Sequence, residues 1–125
     1  MTLIFGGAYQ GKLDYAQQNF GPGLSVSLCG ENEAEPELDG VILASYHLLV
    51  LAQLRQGADP FAYLEGHWPD LREKIILCDD ISCGVVPVDP EARRWREAVG
   101  RCMGLLAGQA DSVIRVFCGI GMKLK

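Results

Sequence analysis

The chain has 125 residues and a formal net charge of −5, with 49% hydrophobic and 22% charged residues. This length is typical of one domain that buries a core, so we predict a single domain over residues 1–125, and the composition excludes a disordered chain. The acidic balance argues against a nucleic-acid binder or a membrane-surface protein, both of which need a basic patch.

The absence of sorting signals predicts a cytoplasmic protein. No apolar run reaches the roughly 20 residues that a membrane span needs, and no positively charged segment precedes an apolar one at the N-terminus, as it would in a secretion signal. The five cysteines are therefore expected to be reduced thiols. Their irregular spacing favours small buried side chains over a metal or redox site.

The first predicted elements are a strand, a glycine-rich loop and a helix. The apolar run over residues 2–5 predicts a buried strand. The helix after the loop is expected to turn Leu13, Ala16 and Phe20 toward the core and to end at residues 21–23. Between strand and helix lies the spacing G-x-x-x-x-G-K, which forms a loop whose backbone N–H groups and lysine hold phosphate groups. The predicted nucleotide- or phosphate-binding residues are Gly6, Gly7, Ala8, Tyr9, Gln10, Gly11, Lys12 and Leu13.

Leu13 departs from this motif. The position normally holds Ser or Thr, whose hydroxyl binds the magnesium ion that accompanies the nucleotide. The sequence thus predicts a phosphate site that lacks one magnesium ligand. Tyr9 and Gln10 occupy the variable positions of the loop, where we expect any new ligand preference to arise.

The middle of the chain predicts further strands and helices. Residues 24–29 alternate between apolar and polar side chains, which is typical of a strand near a sheet edge. The acidic segment 30–40 is expected to be a solvated loop rather than a metal site. Residues 39–44 predict a buried strand, and Ser45 is expected to cap a helix over residues 46–56.

A second helix is expected to begin at Asp59 and Pro60, which are residue types of a helix cap and first turn. Glycine and proline within residues 66–69 predict a break, followed by a further turn over residues 70–73. The chain then enters a strand over residues 74–78.

Asp79 and Asp80 come directly after this strand. In an open parallel sheet, ligands bind outside the carboxyl ends of the strands. These adjacent carboxylates are therefore candidate magnesium ligands, and Asp80 together with Lys12 is a candidate catalytic residue. The alternative is a solvated pair that caps the loop.

The last predicted elements are a long helix over residues 90–108, a strand over residues 112–118 and a short hairpin arm that ends at Lys125. The arginines of the helix are expected to lie in solvent, with anion binding as the alternative: Arg93, Arg94, Arg96 and Arg101. The order of elements predicts an α/β fold with a three-layer, mostly parallel sheet of the P-loop NTPase-like (RecA-like) type.

Four segments follow one further pattern. Residues 6–13 read G-G-A-Y-Q-G-K-L, residues 79–87 read D-D-I-S-C-G-V-V-P, residues 93–101 form an arginine-rich helix segment, and residues 119–125 read G-I-G-M-K-L-K. These segments resemble the adenosylcobinamide kinase / adenosylcobinamide-phosphate guanylyltransferase (CobU) family of cobalamin biosynthesis. Its patterns are G-G-A-x-x-G-K-S, N-E-V-G-x-G-I-V-P, A-R-x-F-R-D-x-x-G-R and G-I-G-x-K-x-K.

The resemblance implies ATP or GTP with Mg²⁺ as cofactor and a corrinoid as a candidate partner. It also implies a homo-oligomer, because the family forms trimers. Family members are longer, and the segment missing here, at residues 30–40, carries the histidine that becomes guanylylated. Neither His47 nor His67 falls at a matching position, which predicts that covalent guanylyl transfer is lost. The family's acidic residue after its third strand is replaced by Ala44-Ser45, and its asparagine in the long helix by Met103.

Three functions remain open from the sequence. The first is a nucleotide- or phosphate-binding protein linked to corrinoid metabolism, with guanylyltransferase chemistry lost and kinase chemistry in doubt. The second is an active kinase that takes magnesium through Asp79 or Asp80. The third is a non-catalytic assembly or regulatory subunit that uses the surface of the fold.

Overall fold

The computed structural model describes residues 1–82 and 84–125, and over these residues strands and helices alternate as the sequence predicts. The strands are β1 Thr2–Gly6, β2 Val26–Leu28, β3 Ile42–Ala44, β4 Ile75–Asp79, β5 Ser112–Phe117 and β6 Ile120–Lys123. The helices are α1 Lys12–Phe20, α2 Tyr46–Arg55, α3 Pro60–Leu71 and α4 Pro90–Gln109. None of the helices in these ranges is long and apolar enough to cross a membrane.

The strands form one sheet in the order β2-β3-β4-β1-β5-β6. All neighbouring strands are parallel except β5 and β6, which pair as an antiparallel hairpin. The mostly parallel sheet, its terminal hairpin and the position of β2 at an edge confirm the sequence predictions. β1 lies between β4 and β5, and its last residue, Gly6, pairs with Asp79 at the end of β4. The loop that follows β1 and the carboxylate at the end of β4 therefore lie at the same level of the sheet.

Helices cover both faces of this sheet. On one face, Leu3 and Ile76 belong to a hydrophobic cluster that α2, α3 and α4 complete. On the other face, Ile4 and Leu77 pack with Ala16 of α1. Because successive strand residues point to opposite faces, the central strands are apolar along their whole length. This confirms the predicted three layers.

Two local predictions, one about α3 and one about α1, were wrong. The helix expected to break at residues 66–69 continues to Leu71 with Pro69 inside it. Proline removes one hydrogen bond to the preceding turn and crowds the carbonyl group four residues back, but the burial of Leu64 and Leu71 on the same helix favours continuation. In α1, Ala16 is buried as expected, but Leu13 and Phe20 are 41% and 42% exposed. This nine-residue helix approaches the sheet through a narrow stripe, which leaves its outer apolar residues in solvent.

Several other local predictions hold. Asp59 caps α3 as predicted, and Asp89 caps α4 in the same way, since each carboxylate accepts a hydrogen bond from a backbone N–H two residues on. The acidic segment 30–40 contains no helix or strand. Buried free thiols are found at Cys29, Cys78 and Cys102, whereas Cys118 is exposed and Cys83 lies outside the described residues.

The two glycines that open the loop differ in how closely they are packed, and this gives a test of the fold. A Cβ on Gly6 would lie 2.2 Å from the carbonyl oxygen of Val116, whereas a Cβ on Gly7 would meet only the Gln10 side chain, at 3.5 Å. We expect Gly6→Ala to lower the free energy of unfolding in urea by at least about 2 kcal/mol, because backbone must move. Gly7→Ala is the matched control, expected within about 0.5 kcal/mol of wild type. Equal stability of the two variants would contradict the packing of β1 against β5.

Candidate functional site

The glycine-rich loop connects β1 to α1 at the carboxyl edge of the sheet. Gly11, at the N-cap of α1, has a φ of 89°, and Tyr9 also has a positive φ, of 58°. Left-handed residues let the chain fold tightly around its own N–H groups, which is how such loops hold phosphate. Lys12 is then the first residue of the helix. This geometry is compatible with a phosphate-binding loop, and phosphate binding by these residues stays a prediction.

The β5–β6 hairpin anchors this loop through Gln10. The backbone N–H of Gly119 donates to the Gln10 carbonyl oxygen at 2.8 Å. The N–H of Cys118 donates to the Gln10 side-chain oxygen Oε1 at 2.7 Å. Cys118 and Gly119 both have positive φ values, 50° and 76°, and together make the two-residue turn of the hairpin. The side chain of Gln10 thus holds the loop against the hairpin. Tyr9, the other variable residue of the loop, lines the crevice described below.

Lys12 folds into the loop and pairs with Asp79. Its Nζ donates to the carbonyl oxygen of Gly7 at 2.8 Å and lies 2.6 Å from Oδ1 of Asp79. The Lys12 side chain is only 10% exposed, so the ion pair is partly shielded from water. An anion entering the loop would meet an ammonium group already balanced by one carboxylate, and would have to draw Lys12 away from Asp79.

His47 holds Asp79 from the other side. This buried residue lies in the first turn of α2, and its Nδ1 accepts a hydrogen bond from the Asp79 backbone N–H at 3.3 Å. Its Nε2 lies 3.5 Å from Oδ2 of Asp79. Trp95 of α4 donates its Nε1–H to the His47 carbonyl oxygen at 2.7 Å. Burial lowers the pKa of His47, and Lys12 acts in the same direction, while Asp79 opposes both. A neutral ring that accepts at Nδ1 carries its proton on Nε2, facing the carboxylate.

Sequence reasoning weighed His47 only as a nucleophile and missed this role. The available signal was its place in the first turn of a helix that follows a buried strand, because such turns lie at the ligand-binding edge of the sheet.

Asp80 is placed differently from Asp79. Its backbone N–H donates to the Gly6 carbonyl oxygen at 2.8 Å. Its Oδ1 accepts hydrogen bonds from the Ser82 backbone N–H at 3.1 Å and from the Ser82 hydroxyl at 2.5 Å. The carboxylate therefore stabilises the loop that follows β4, and Asp79, not Asp80, lines the crevice.

The arginines of α4 also serve local structure. Arg96 donates to the backbone carbonyl oxygens of Val85 and Ser82 in the loop after β4. Arg101 lies over the Phe61 ring, with its guanidinium carbon 4.3 Å from the ring centroid. Neither side chain lines the crevice. Within the described part of the chain, no three His, Cys, Asp or Glu side chains converge as a metal site.

A crevice of about 380 Å³ runs from the phosphate loop across the end of β4 to the end of β3. Its polar side chains include Lys12, Asp79 and Ser45, and its walls are largely apolar. The residues that line it are Tyr9, Gly11, Lys12, Leu13, Asp14, Leu28, Ala44, Ser45, Leu77 and Asp79. Leu13 and Ala44, two positions at which the sequence resemblance implies oxygen-bearing residues, both line this space.

The prediction that Ser45 caps α2 was wrong. Ser45 stands at the N-cap position, but its side chain makes no cap hydrogen bond. Its φ of 60° and ψ of 42° place it in the left-handed region, whereas a capping serine normally has extended backbone. The hydroxyl is left to face the crevice instead.

Comparisons with known proteins match most of the chain to one family. The model of the family described as "Cobinamide kinase / cobinamide phosphate guanyltransferase" (CobU) matches residues 38–124. The matched region contains Asp79 and Ser45 and begins after the phosphate loop, so the loop itself rests on its spacing and geometry. The "Bifunctional adenosylcobalamin biosynthesis protein CobU" of Salmonella typhimurium (strain LT2) is 37% identical over 51 residues. That match covers 41% of this chain and 28% of the relative.

The lowered pKa of His47 predicts how stability depends on pH. The unfolded chain binds a proton near the ordinary value of 6.5, while the folded protein binds it at lower pH. Stability from neutral His47 is therefore complete above pH 6.5 and is lost as pH falls through the folded-state pKa. We expect the free energy of unfolding of wild type to fall more steeply below pH 6.5 than that of His47→Asn, measured by urea unfolding at several pH values.

His47→Asn keeps an acceptor near the position of Nδ1 but does not titrate, and the other ionisable groups are common to both proteins. Parallel pH profiles for wild type and variant would contradict the assignment of a neutral, buried His47.

Proposed function

The chain belongs to the cobinamide kinase / cobinamide phosphate guanyltransferase family, and from this premise we propose that it binds a nucleotide or another phosphate-bearing ligand and serves cobalamin biosynthesis. The observation that carries the proposal is the position of Lys12. Its ammonium group lies within the glycine loop, 2.6 Å from Asp79, at the carboxyl ends of two adjacent parallel strands. Ligands of open parallel sheets bind at this edge.

Phosphate binding is better supported than guanylyl transfer. The loop amides and Lys12 suffice to hold a phosphate group without further side chains. A covalent guanylyl intermediate needs a nucleophile at the site, and neither His47 nor His67 lines the crevice. Both ring nitrogens of His47 face Asp79. Nδ1 of His67 lies 3.0 Å from the Tyr63 carbonyl oxygen, and its ring stacks on that of Tyr63 in α3.

A kinase activity is the second candidate, and Asp79 is the observation that favours it. Mg²⁺ at phosphate sites is usually held by one or two carboxylates together with phosphate oxygens and water. Asp79 fits as the protein ligand once Lys12 turns to the phosphate, although Leu13 and Ala44 offer no further oxygen. A bound magnesium ion would supply the charge neutralisation that phosphoryl transfer requires. A corrinoid is the acceptor that family membership suggests.

An assembly subunit is the candidate from another class. The side of the β5–β6 hairpin that carries Phe117, Ile120 and Met122 is exposed, and these side chains are between 60% and 73% accessible. Exposed apolar patches often mark protein interfaces. A homo-oligomer formed through this surface is compatible with nucleotide binding. If the protein binds no nucleotide, assembly is the candidate function that is left of the three.

Removing the lysine tests the proposed binding function. We expect wild type to bind ATP or GTP, and Lys12→Ala to weaken binding at least tenfold, because the charged partner of the phosphate is lost. Isothermal titration calorimetry with each nucleotide, with and without Mg²⁺, measures this directly. Lys123→Ala, which removes an exposed lysine of β6, should bind as wild type does. Equal binding by wild type and Lys12→Ala, or no binding by wild type, would sink the proposal.

Placing a hydroxyl at position 13 tests whether Leu13 limits the effect of Mg²⁺ on ATP binding. Leu13 is partly exposed at the crevice, so serine should be accommodated without loss of fold. We expect Leu13→Ser to increase the ratio of Mg-ATP affinity to ATP affinity severalfold, because the hydroxyl adds a metal ligand. Leu13→Ala removes the same side chain without adding oxygen and is the control. A ratio that stays the same in both variants would show that Leu13 is not the limiting defect.

A further inference from the structure

The far end of the crevice holds a hydroxyl group that has no role in the fold. Ser45 follows the last residue of β3, and β4 separates β3 from β1. Adjacent strands lie about 4.8 Å apart, so the end of β3 is roughly 10 Å from the strand that carries the phosphate loop. Ser45 and Lys12 nevertheless line the same crevice. A ligand whose phosphate is held by the loop N–H groups above β1 would therefore reach Ser45 through a group further along the ligand.

The local geometry directs this hydroxyl away from α2. Ser45 is left-handed, with a φ of 60°, although it has a Cβ and no partner that requires this conformation. Its backbone carbonyl oxygen accepts from the Leu48 N–H, but its side chain makes no hydrogen bond to any described residue. Serine at a helix N-cap normally bonds the first turn of its own helix. Strained residues of this kind concentrate at ligand-binding sites.

The other groups that line the crevice do not supply a hydrogen-bond donor on the β3 side. Leu13, Leu28 and Ala44 are apolar, and the carboxylates of Asp14 and Asp79 repel phosphate oxygens. Lys12 is occupied at the loop end. An anionic chain that crosses from the loop toward β3 would therefore find the Ser45 hydroxyl as its half-buried donor on that side.

We propose that Ser45 is a ligand-binding residue that selects polyphosphates, or phosphate esters with a polar group of similar reach, over a single phosphate. The inference rests on the proposed binding function of the loop. The Ser45 hydroxyl donates a hydrogen bond to an oxygen atom of the ligand about 10 Å from the β1 end of the crevice. It thus extends the site from the phosphate loop to the opposite wall.

Two substitutions and two probes test this proposal by calorimetry. Ser45→Ala and Ser45→Gly both remove the hydroxyl, and both should weaken binding of tripolyphosphate about tenfold. Inorganic phosphate, too short to reach Ser45, should bind both variants as it binds wild type. Glycine relieves the left-handed strain that alanine retains, so Ser45→Gly should melt a few degrees above Ser45→Ala while losing the same affinity.

The outcomes separate this proposal from the binding function on which it rests. Tripolyphosphate affinity unchanged in both Ser45 variants, but lost in Lys12→Ala, would overturn the role of Ser45 and leave the loop site standing. If only Ser45→Ala, the less stable variant, bound tripolyphosphate more weakly, the role of Ser45 would also be overturned. The loss of affinity would then follow the loss of stability and not the loss of the hydroxyl. A wild type that binds neither probe would overturn both proposals.

Discussion

The ion pair between Lys12 and Asp79 is the interaction on which the site depends. It exists because β1 and β4 are parallel neighbours in a register that pairs Gly6 with Asp79. The same register brings the Asp80 N–H to the Gly6 carbonyl oxygen and places His47 behind Asp79. A shift of one residue would point the carboxylate to the other face of the sheet. Packing of the central strands, rather than any contact within the loop, therefore sets the geometry of the crevice.

Strained residues surround this ion pair. Three residues other than glycine have positive φ values among those described: Tyr9, Ser45 and Cys118. Tyr9 and Ser45 line the crevice, and Cys118 donates to the Gln10 side chain that anchors the loop. The central strands β1, β3 and β4 are mostly buried, so they provide the stability against which such local strain can persist. Family membership accounts for the scaffold, while Leu13 and Ala44 are the crevice positions at which the sequence is expected to depart from the family pattern.

Much of the fold could be predicted from sequence because its signals are local. The strands are short apolar runs between glycines and acids, and Asp59 and Asp89 cap helices through their own next turn. The position of the glycine-rich loop between β1 and α1 was predictable from the spacing of its glycines. The role of His47 was not predictable, because it depends on contact with Asp79, 32 positions away. The position of the Ser45 side chain was not predictable either, because it depends on a left-handed backbone conformation. The continuity of α3 through Pro69 likewise reflects tertiary packing that overrides a local breaker.

The central claim is that the glycine loop and Lys12 still form a phosphate site. A crystal structure of the protein grown with ATP tests it most directly, because it locates the phosphate groups. The account predicts a phosphate within hydrogen-bond distance of the loop N–H groups and of Lys12 Nζ, with Lys12 withdrawn from the Gly7 carbonyl oxygen. A nucleotide bound elsewhere, with Lys12 still donating to Gly7 and paired with Asp79, would contradict the account.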